Sequence, residues 1–285
     1  MRDTSRRVLL TGAAGNTLVA DAWGGSDGEP VIFLHGGGQT RHAWGGAASR
    51  VAKAGACGIS VDLRGHGESD WTDTYSHTDF GNDIINIVRQ IGGKPVLVGA
   101  SLGGISALAA QDLAHGELCR ALVLVDIAPH TNPAGVERIL QFMRDGTRGF
   151  DSLDEAADAV ASYLRERSRP KDTNGLRKNL RKKEDGRWYW HWDPMFLSRS
   201  PQEREQAATK LTEAAKRLSV PTLLVRGGSS DVLTSEGVEA FRKLVPHAKF
   251  VDIAGAGHMV AGDRNDAFTD AILGFLRKHR KAAVA

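Results

Sequence analysis

Cysteine is scarce in this chain: two in 285 residues, Cys57 and Cys119. That is too few for a disulfide framework, and both fall in or beside predicted strands, which reads as reduced thiols in a core and suits the cytoplasm. Long apolar runs are missing as well. None approaches the roughly 18 residues of a membrane span, so no membrane partner is expected. The first ten residues carry basic groups but only a brief apolar stretch, so no secretory signal is expected either. Charge of one sign is nearly absent in excess, the net being +3. Residues 127–200 hold 14 Lys+Arg against 11 Asp+Glu, so the whole surplus lies there. This bias is too small to imply nucleic acid, and no zinc-finger or RNP-type motif adds to it. There is no internal repeat, no low-complexity segment and no metal-ligand spacing such as H-E-x-x-H.

What is present is an ordinary globular composition, 41% hydrophobic and 25% charged, long enough for one α/β domain with an insertion. Short apolar runs alternate with longer amphipathic stretches, the pattern of βα units and a mostly parallel sheet. Strands are predicted at 8–11, 17–23, 31–34, 58–62, 96–99, 121–126, 222–226 and 249–253. The first two lie close enough to pair antiparallel. Helices are predicted at 41–54, 79–91, 102–115, 236–244 and 263–279, the last with Asp263 as N-cap and Asp266 three positions on. The rhythm breaks after Asp126. Helical stretches at 135–143 and 153–167 follow, then a basic run at 177–183 that reads as a solvated helix face, then Trp188 to Pro194. The division expected is a core of 1–126 and 205–285 with a lid of 127–204 inserted between its halves.

Gly99-Ala100-Ser101-Leu102-Gly103 carries the chemistry. It reads G-x-S-x-G between an apolar run and a small-residue helix start, the context of a nucleophile elbow. Alone, the pentapeptide also fits a glycine-rich turn or an N-capping serine. Its companions decide. Leu34-His35-Gly36-Gly37-Gly38-Gln39 follows a buried strand but lacks the Lys-Ser/Thr of a P-loop and does not complete G-x-G-x-x-G. Beside an elbow serine, its N–H groups suit a developing oxyanion. Gly37 and Leu102 are the expected donors, with Gly38 as the alternate. His258, flanked by Gly257 on a loop after the last strand, is the expected base. Two acids lie between Ser101 and His258 at strand ends. Asp231 is preferred, because a loop beyond the penultimate strand can reach the loop after the last. Asp126 is left a structural hydrogen bond to backbone where the lid departs.

In order along the chain stand His35-Gly36-Gly37, Asp62-Leu63-Arg64-Gly65-His66-Gly67-Glu68-Ser69, Gly99 to Gly104, Gly227-Gly228-Ser229-Ser230-Asp231 and Gly257-His258. Together these resemble the α/β-hydrolase fold superfamily, in the branch with an inserted helical cap. The resemblance covers nearly the whole chain. It implies an α/β fold: a mostly parallel eight-stranded sheet, helices on both faces and a mainly helical cap. It gives Arg64 and His66 structural rather than catalytic roles. Epoxide hydrolases and haloalkane dehalogenases resemble the chain too, but they place an aspartate at the elbow. Ser101 stands there instead, which points to an acyl-enzyme.

The expected reaction is hydrolysis of an ester or lactone, with Ser101 attacking, His258 taking its proton and Asp231 orienting the imidazole. No metal or organic cofactor is implied. A small-molecule substrate is the one partner expected, on a monomer or homodimer. Trp188, Trp190 and Trp192 share one face if extended, opposite Tyr189 and His191. They are candidate substrate-binding residues with Gly38 for an apolar or aromatic acyl group, and equally candidates for packing lid onto core. C–C bond hydrolysis, cofactor-free haloperoxidase or perhydrolase chemistry, and a low-turnover small-molecule receptor remain alternatives on the same scaffold.

Overall fold

The computed structural model describes residues 5–116, 118–163, 169, 172–258 and 265–279. The chain opens with β1 (Arg6–Thr11), β2 (Thr17–Trp23) and β3 (Glu29–Leu34). It continues through α1 (Gly45–Lys53), β4 (Ala56–Val61), α2 (His77–Ile91), β5 (Val96–Ala100), α3 (Leu102–Leu113) and β6 (Ala121–Val125). The segment that follows holds α4 (Pro133–Asp145), α5 (Leu153–Tyr163), β7 (Leu180–Lys182) and β8 (Trp188–Trp190). Last come α6 (Pro201–Lys216), β9 (Thr222–Gly227), α7 (Ser235–Leu244), β10 (Lys249–Ile253) and α8 (Asn265–Lys278).

Eight strands form one sheet in the order β1-β2-β4-β3-β5-β6-β9-β10. β1 and β2 pair antiparallel, β2 meets β4 antiparallel, and every later neighbour is parallel. The central strands are apolar without interruption because both faces are covered. Alternate residues feed two cores. Ile32, Leu34, Leu97, Leu122, Leu124 and Leu224 join the cluster that includes Phe80, Leu108, Leu211 and Phe241 from α2, α3, α6 and α7. Val31, Phe33, Val96, Val98, Val123, Val125 and Val225 face Trp44, Val51, Phe268 and Ile272 on the side of α1 and α8.

Several element boundaries move for local reasons. The predicted helix at 41–54 begins as a 3-10 turn, Arg41–Trp44, before α1. α2 starts two residues before its predicted position because Ser76 and Asp79 form a reciprocal capping box. α6 was not foreseen. Ser200 and Glu203 cap it in the same way, and Leu211, Ala214 and Ala215 bury it in the core beside α3. The predicted cap Asp263 and the end of the helix predicted at 153–167 fall outside the described residues. The basic run is not a helix face: a 3-10 turn, Asn174–Asn179, leads into β7, which pairs antiparallel with β8. There Trp188 lies under Arg177 and Lys182, and Tyr189 under Lys183.

Residues between β6 and α6 build a small core of their own. Met143, Phe150, Ala156, Leu180, Trp190 and Trp192 are buried together. Cys57 and Cys119 are buried free thiols, and burial pushes Cys119 up to about 12. No helix among the described residues is long and apolar enough to cross a membrane.

Candidate active site

Ser101 sits between β5 and α3 with φ 45° and ψ −114°, a conformation L-residues avoid. The turn is too tight for side chains around it. A Cβ at Gly99 would stand 2.4 Å from Gly103 backbone, and one at Gly103 would stand 2.3 Å from Leu34 O. α3 therefore starts against the end of β3, with Leu102 at its first position. N–H groups in a helix's first turn have no intrahelical acceptor, so the Leu102 N–H is available to a ligand. The glycine loop lies alongside: a Cβ at Gly36 would be 3.5 Å from Ser101 Cβ. That loop is a closed turn, with Gln39 N–H donating to Gly36 O at 3.1 Å and Gly36 N–H to Gln39 Oε1 at 2.9 Å.

The carboxylate that meets His258 is Asp126. His258 Nδ1–H donates to Asp126 Oδ2 at 2.6 Å; Asp126 is fully buried and the His258 side chain is 11% exposed. Asp126 is the first residue after β6, one strand over from the elbow, and Ser101 N–H donates to Val125 O at 3.1 Å. The aspartate has φ 50° and is held by three further contacts. Its own N–H donates to Val225 O at 2.6 Å, its Oδ1 accepts Gly227 N–H at 3.0 Å, and its Oδ2 accepts the Ser230 hydroxyl. Ser230 Oγ in turn accepts the N–H groups of Val232 and Leu233. The backbone hydrogen bond expected of Asp126 exists, but the same carboxylate also takes the histidine.

The expectation for Asp231 is corrected. Its side chain is 41% exposed and pairs with Arg138 on α4. Two features send it there. Gly227 has no side chain, and a Cβ would stand 2.3 Å from Gly257 O, so the His258 loop folds back across the end of β9 and reaches β6. The 228–230 turn is pinned under that loop by Gly228 N–H to Ile253 O and Ser229 N–H to Ala256 O, both 2.9 Å. Asp231 then emerges on the far side, where Asn132 Nδ2 donates to its carbonyl at 2.9 Å.

The tryptophans divide. Trp192 lies against the glycine loop, 3.3 Å from where a Gly38 Cβ would be, together with Met143 Cε. Trp190 stacks on Trp192 at 5.0 Å between centroids and packs edge-on to Phe150 inside the segment's own core. Trp188 is half-buried under its two cations. Phe196 was not singled out from the sequence, yet its ring is 3.4 Å from a would-be Gly37 Cβ. Met143 was likewise missed. Neither carried a local signal, since an apolar residue on a helix or turn reads as packing.

The Asp62–Ser69 segment is tied into the core by buried ion pairs. Arg64 donates Nε and one terminal nitrogen to Asp83 at 2.6 Å each, with both side chains 2% exposed. Asp62 accepts from Arg41 Nη1 at 2.5 Å and from the N–H groups of Arg41 and Glu68. Burial pushes His66 down to about 3, aided by His35, so it stays neutral.

A serine at positive φ, an adjacent glycine loop and a buried carboxylate–histidine pair thus follow the carboxyl ends of parallel strands of one sheet. The chain belongs to the alpha/beta hydrolase family, whose model matches residues 31–271. It is 30% identical over 263 residues to esterase Rv0045c of Mycobacterium tuberculosis, covering 89% of this chain and 84% of that one. A solved structure of that esterase superposes with a TM-score of 0.78 over 96% of this chain and 92% of the other, at 28% identity. Non-heme chloroperoxidase CPO-A1 of Kitasatospora aureofaciens is 29% identical over 276 residues, covering 90% of this chain and 94% of that protein. The crystal structure of E-2-(acetamidomethylene)succinate hydrolase gives a TM-score of 0.82 over 96% of this chain and 99% of the other; at 24% identity that likeness shows the fold alone. The chain is an α/β-hydrolase enzyme.

Proposed function

We propose that the chain is a serine hydrolase acting on an ester or lactone of a small apolar or aromatic substrate. The observation that carries this reading is the 2.6 Å hydrogen bond from His258 to buried Asp126, beside a serine at φ 45° on the neighbouring strand end. Ser101 Oγ attacks the carbonyl carbon while His258 Nε2 takes its proton. Asp126 holds the Nδ1–H tautomer and stabilises the imidazolium that forms. The N–H groups of Leu102 and Gly37 receive the oxyanion, each worth about 3 kcal/mol of barrier. His258 then returns its proton to the leaving alcohol. Water, deprotonated by the same imidazole, attacks the acyl-enzyme and frees the acid.

Residues 127–204 act as the cap. Trp192, Phe196 and Met143, packed against Gly37 and Gly38, give the entrance an apolar wall and favour an apolar or aromatic substrate. The likeness to a non-heme chloroperoxidase favours one second reading at the same site, in which hydrogen peroxide in place of water, deprotonated by His258, attacks the acyl-enzyme, and the acyl group leaves as a peracid while His258 returns the proton to Ser101 Oγ.

A fluorophosphonate probe is expected to label the wild type and not Ser101→Ala, which keeps its fold by circular dichroism but loses turnover of p-nitrophenyl esters. Undiminished hydrolysis by Ser101→Ala overturns the reading. A panel of aryl esters, lactones and vinylogous diketones, with and without peroxide, then ranks the substrates.

A further inference from the structure

His191 lies in the segment between β8 and α6, is 1% exposed and has both ring nitrogens used. Nδ1 faces Gly67 N–H at 2.7 Å. A backbone N–H can only donate, so Nδ1 is the unprotonated nitrogen. Nε2 therefore carries the proton, and it faces Gly38 O at 3.2 Å, which can only accept. One tautomer of the neutral ring satisfies both contacts, and an imidazolium cannot. Burial holds the pKa of His191 well below 6.5, with His66 and His35 pushing the same way.

The partner at Nε2 matters because of where Gly38 sits. The turn 36–39 offers Gly37 N–H to the oxyanion in the proposed mechanism. On one side Gly36 is held by the Gln39 side chain. On the other, Gly38 has φ 74°, a left-handed conformation that glycine adopts without cost and leaves as readily. Trp192 and Met143 pack on it but offer no direction to its carbonyl. His191 supplies that direction.

The chain on both sides of His191 is fastened to the core, through Asp193 after it and through Arg181 on β7 before it. Asp193 N–H donates to Gly65 O at 2.9 Å, Tyr75 Oη donates to Asp193 Oδ2 at 2.6 Å, and Arg181 Nη2 donates to Gly67 O at 2.9 Å. The imidazole is thus fixed on a rigid strap and not on a free lid.

We propose that His191 is a positioning residue for the oxyanion hole: its Nε2–H fixes the Gly38 carbonyl and, through the turn, the Gly37 N–H. This rests on the serine-hydrolase reading of Ser101. It makes the strap between cap and core a support for the oxyanion hole.

Two amides separate the ring's two contacts. His191→Gln reaches the Nε2 position and restores a donor to Gly38 O. His191→Asn reaches the Nδ1 position and restores an acceptor for Gly67 N–H. Fluorophosphonate labelling rate, kcat and KM on a p-nitrophenyl ester, and Tm are measured for wild type, His191→Phe, His191→Gln and His191→Asn. His191→Phe is expected to lose about tenfold or more in labelling rate and kcat, with KM within about twofold, as a displaced oxyanion donor requires. His191→Gln recovers most of the lost kcat. His191→Asn recovers Tm without recovering kcat. If His191→Phe does not fold, the Gln and Asn variants alone decide. Equal kcat in Gln and Asn, or loss of kcat only in step with Tm, overturns the inference. A wild type that the probe does not label at Ser101 overturns the serine-hydrolase reading and this inference together; a labelled wild type with indifferent His191 variants overturns this inference alone.

Discussion

Asp126 and Asp231 stand just past the ends of adjacent parallel strands, β6 and β9, and both precede His258 in sequence. Their surroundings are opposite. Asp126 is fully buried, sits in the first residue past its strand, and receives the imidazole, a backbone N–H and a hydroxyl. Asp231 is four residues past its strand, half in solvent, and answers Arg138 on α4. A buried carboxylate with several donors is fixed in place and feels little screening. An exposed pair gains little and is held loosely. Distance from the strand end, and not order in the chain, separates a rigid acid from a surface charge.

Four measurements test that contrast. The largest effect is expected at Asp126. Asp126→Asn keeps the left-handed backbone, which asparagine tolerates, but places an amide donor against His258 Nδ1 and favours the wrong tautomer. kcat should fall by about 10³- to 10⁴-fold with the fold intact. A fall of that size in Asp231→Asn instead would invert the assignment.

Next is Ser230→Ala. It removes one donor to Asp126 and the acceptor for Val232 and Leu233 N–H. About 1–2 kcal/mol of stability should go, read from the urea midpoint, with kcat down by about tenfold. Unchanged kcat would mean that the histidine and Gly227 suffice to hold the carboxylate.

A smaller effect should come from the histidines behind the glycine loop. His35, His66 and His191 are buried neutral, with folded pKa values below 6.5. The unfolded chain binds protons on them first. Their contribution is therefore complete above about pH 6.5 and is lost as pH falls from there toward the folded values. Tm should drop between pH 6.5 and 5.5, before most carboxylates titrate. A flat Tm across that window would show that the folded chain takes up protons on these rings as readily as the unfolded chain does.

The smallest effects belong to the exposed pair. Asp231→Asn and Arg138→Ala should each change stability by less than about 0.5 kcal/mol and leave kcat within about twofold of wild type. A larger kinetic effect would bring Asp231 back into the site.

The sheet was readable from residue pattern because its signal is local. Val31–Leu34, Val96–Val98 and Ala121–Val125 are buried on both faces, so each is apolar throughout and bounded by turns. The elbow was readable for the same reason, since Gly99, Ser101 and Gly103 satisfy a steric demand made within five residues. The hairpin of β7 and β8 was not readable. Its cations cover Trp188 and Tyr189, so charge that looked solvated is packed on aromatic faces.

Sequence alone determined where the strands of the main sheet fall along the chain, the serine on its strained turn, the glycine loop beside it and the histidine after the last strand, because each is written in consecutive residues. Tertiary structure decided which aspartate that histidine meets. A missing side chain at Gly227 lets the 256–258 loop cross β9 to β6, and that path depends on contacts between residues 30 apart. It also decided that His191 faces the glycine loop, 153 residues earlier in the chain. A partner chosen by packing across the fold leaves no mark on the residues next to it in sequence.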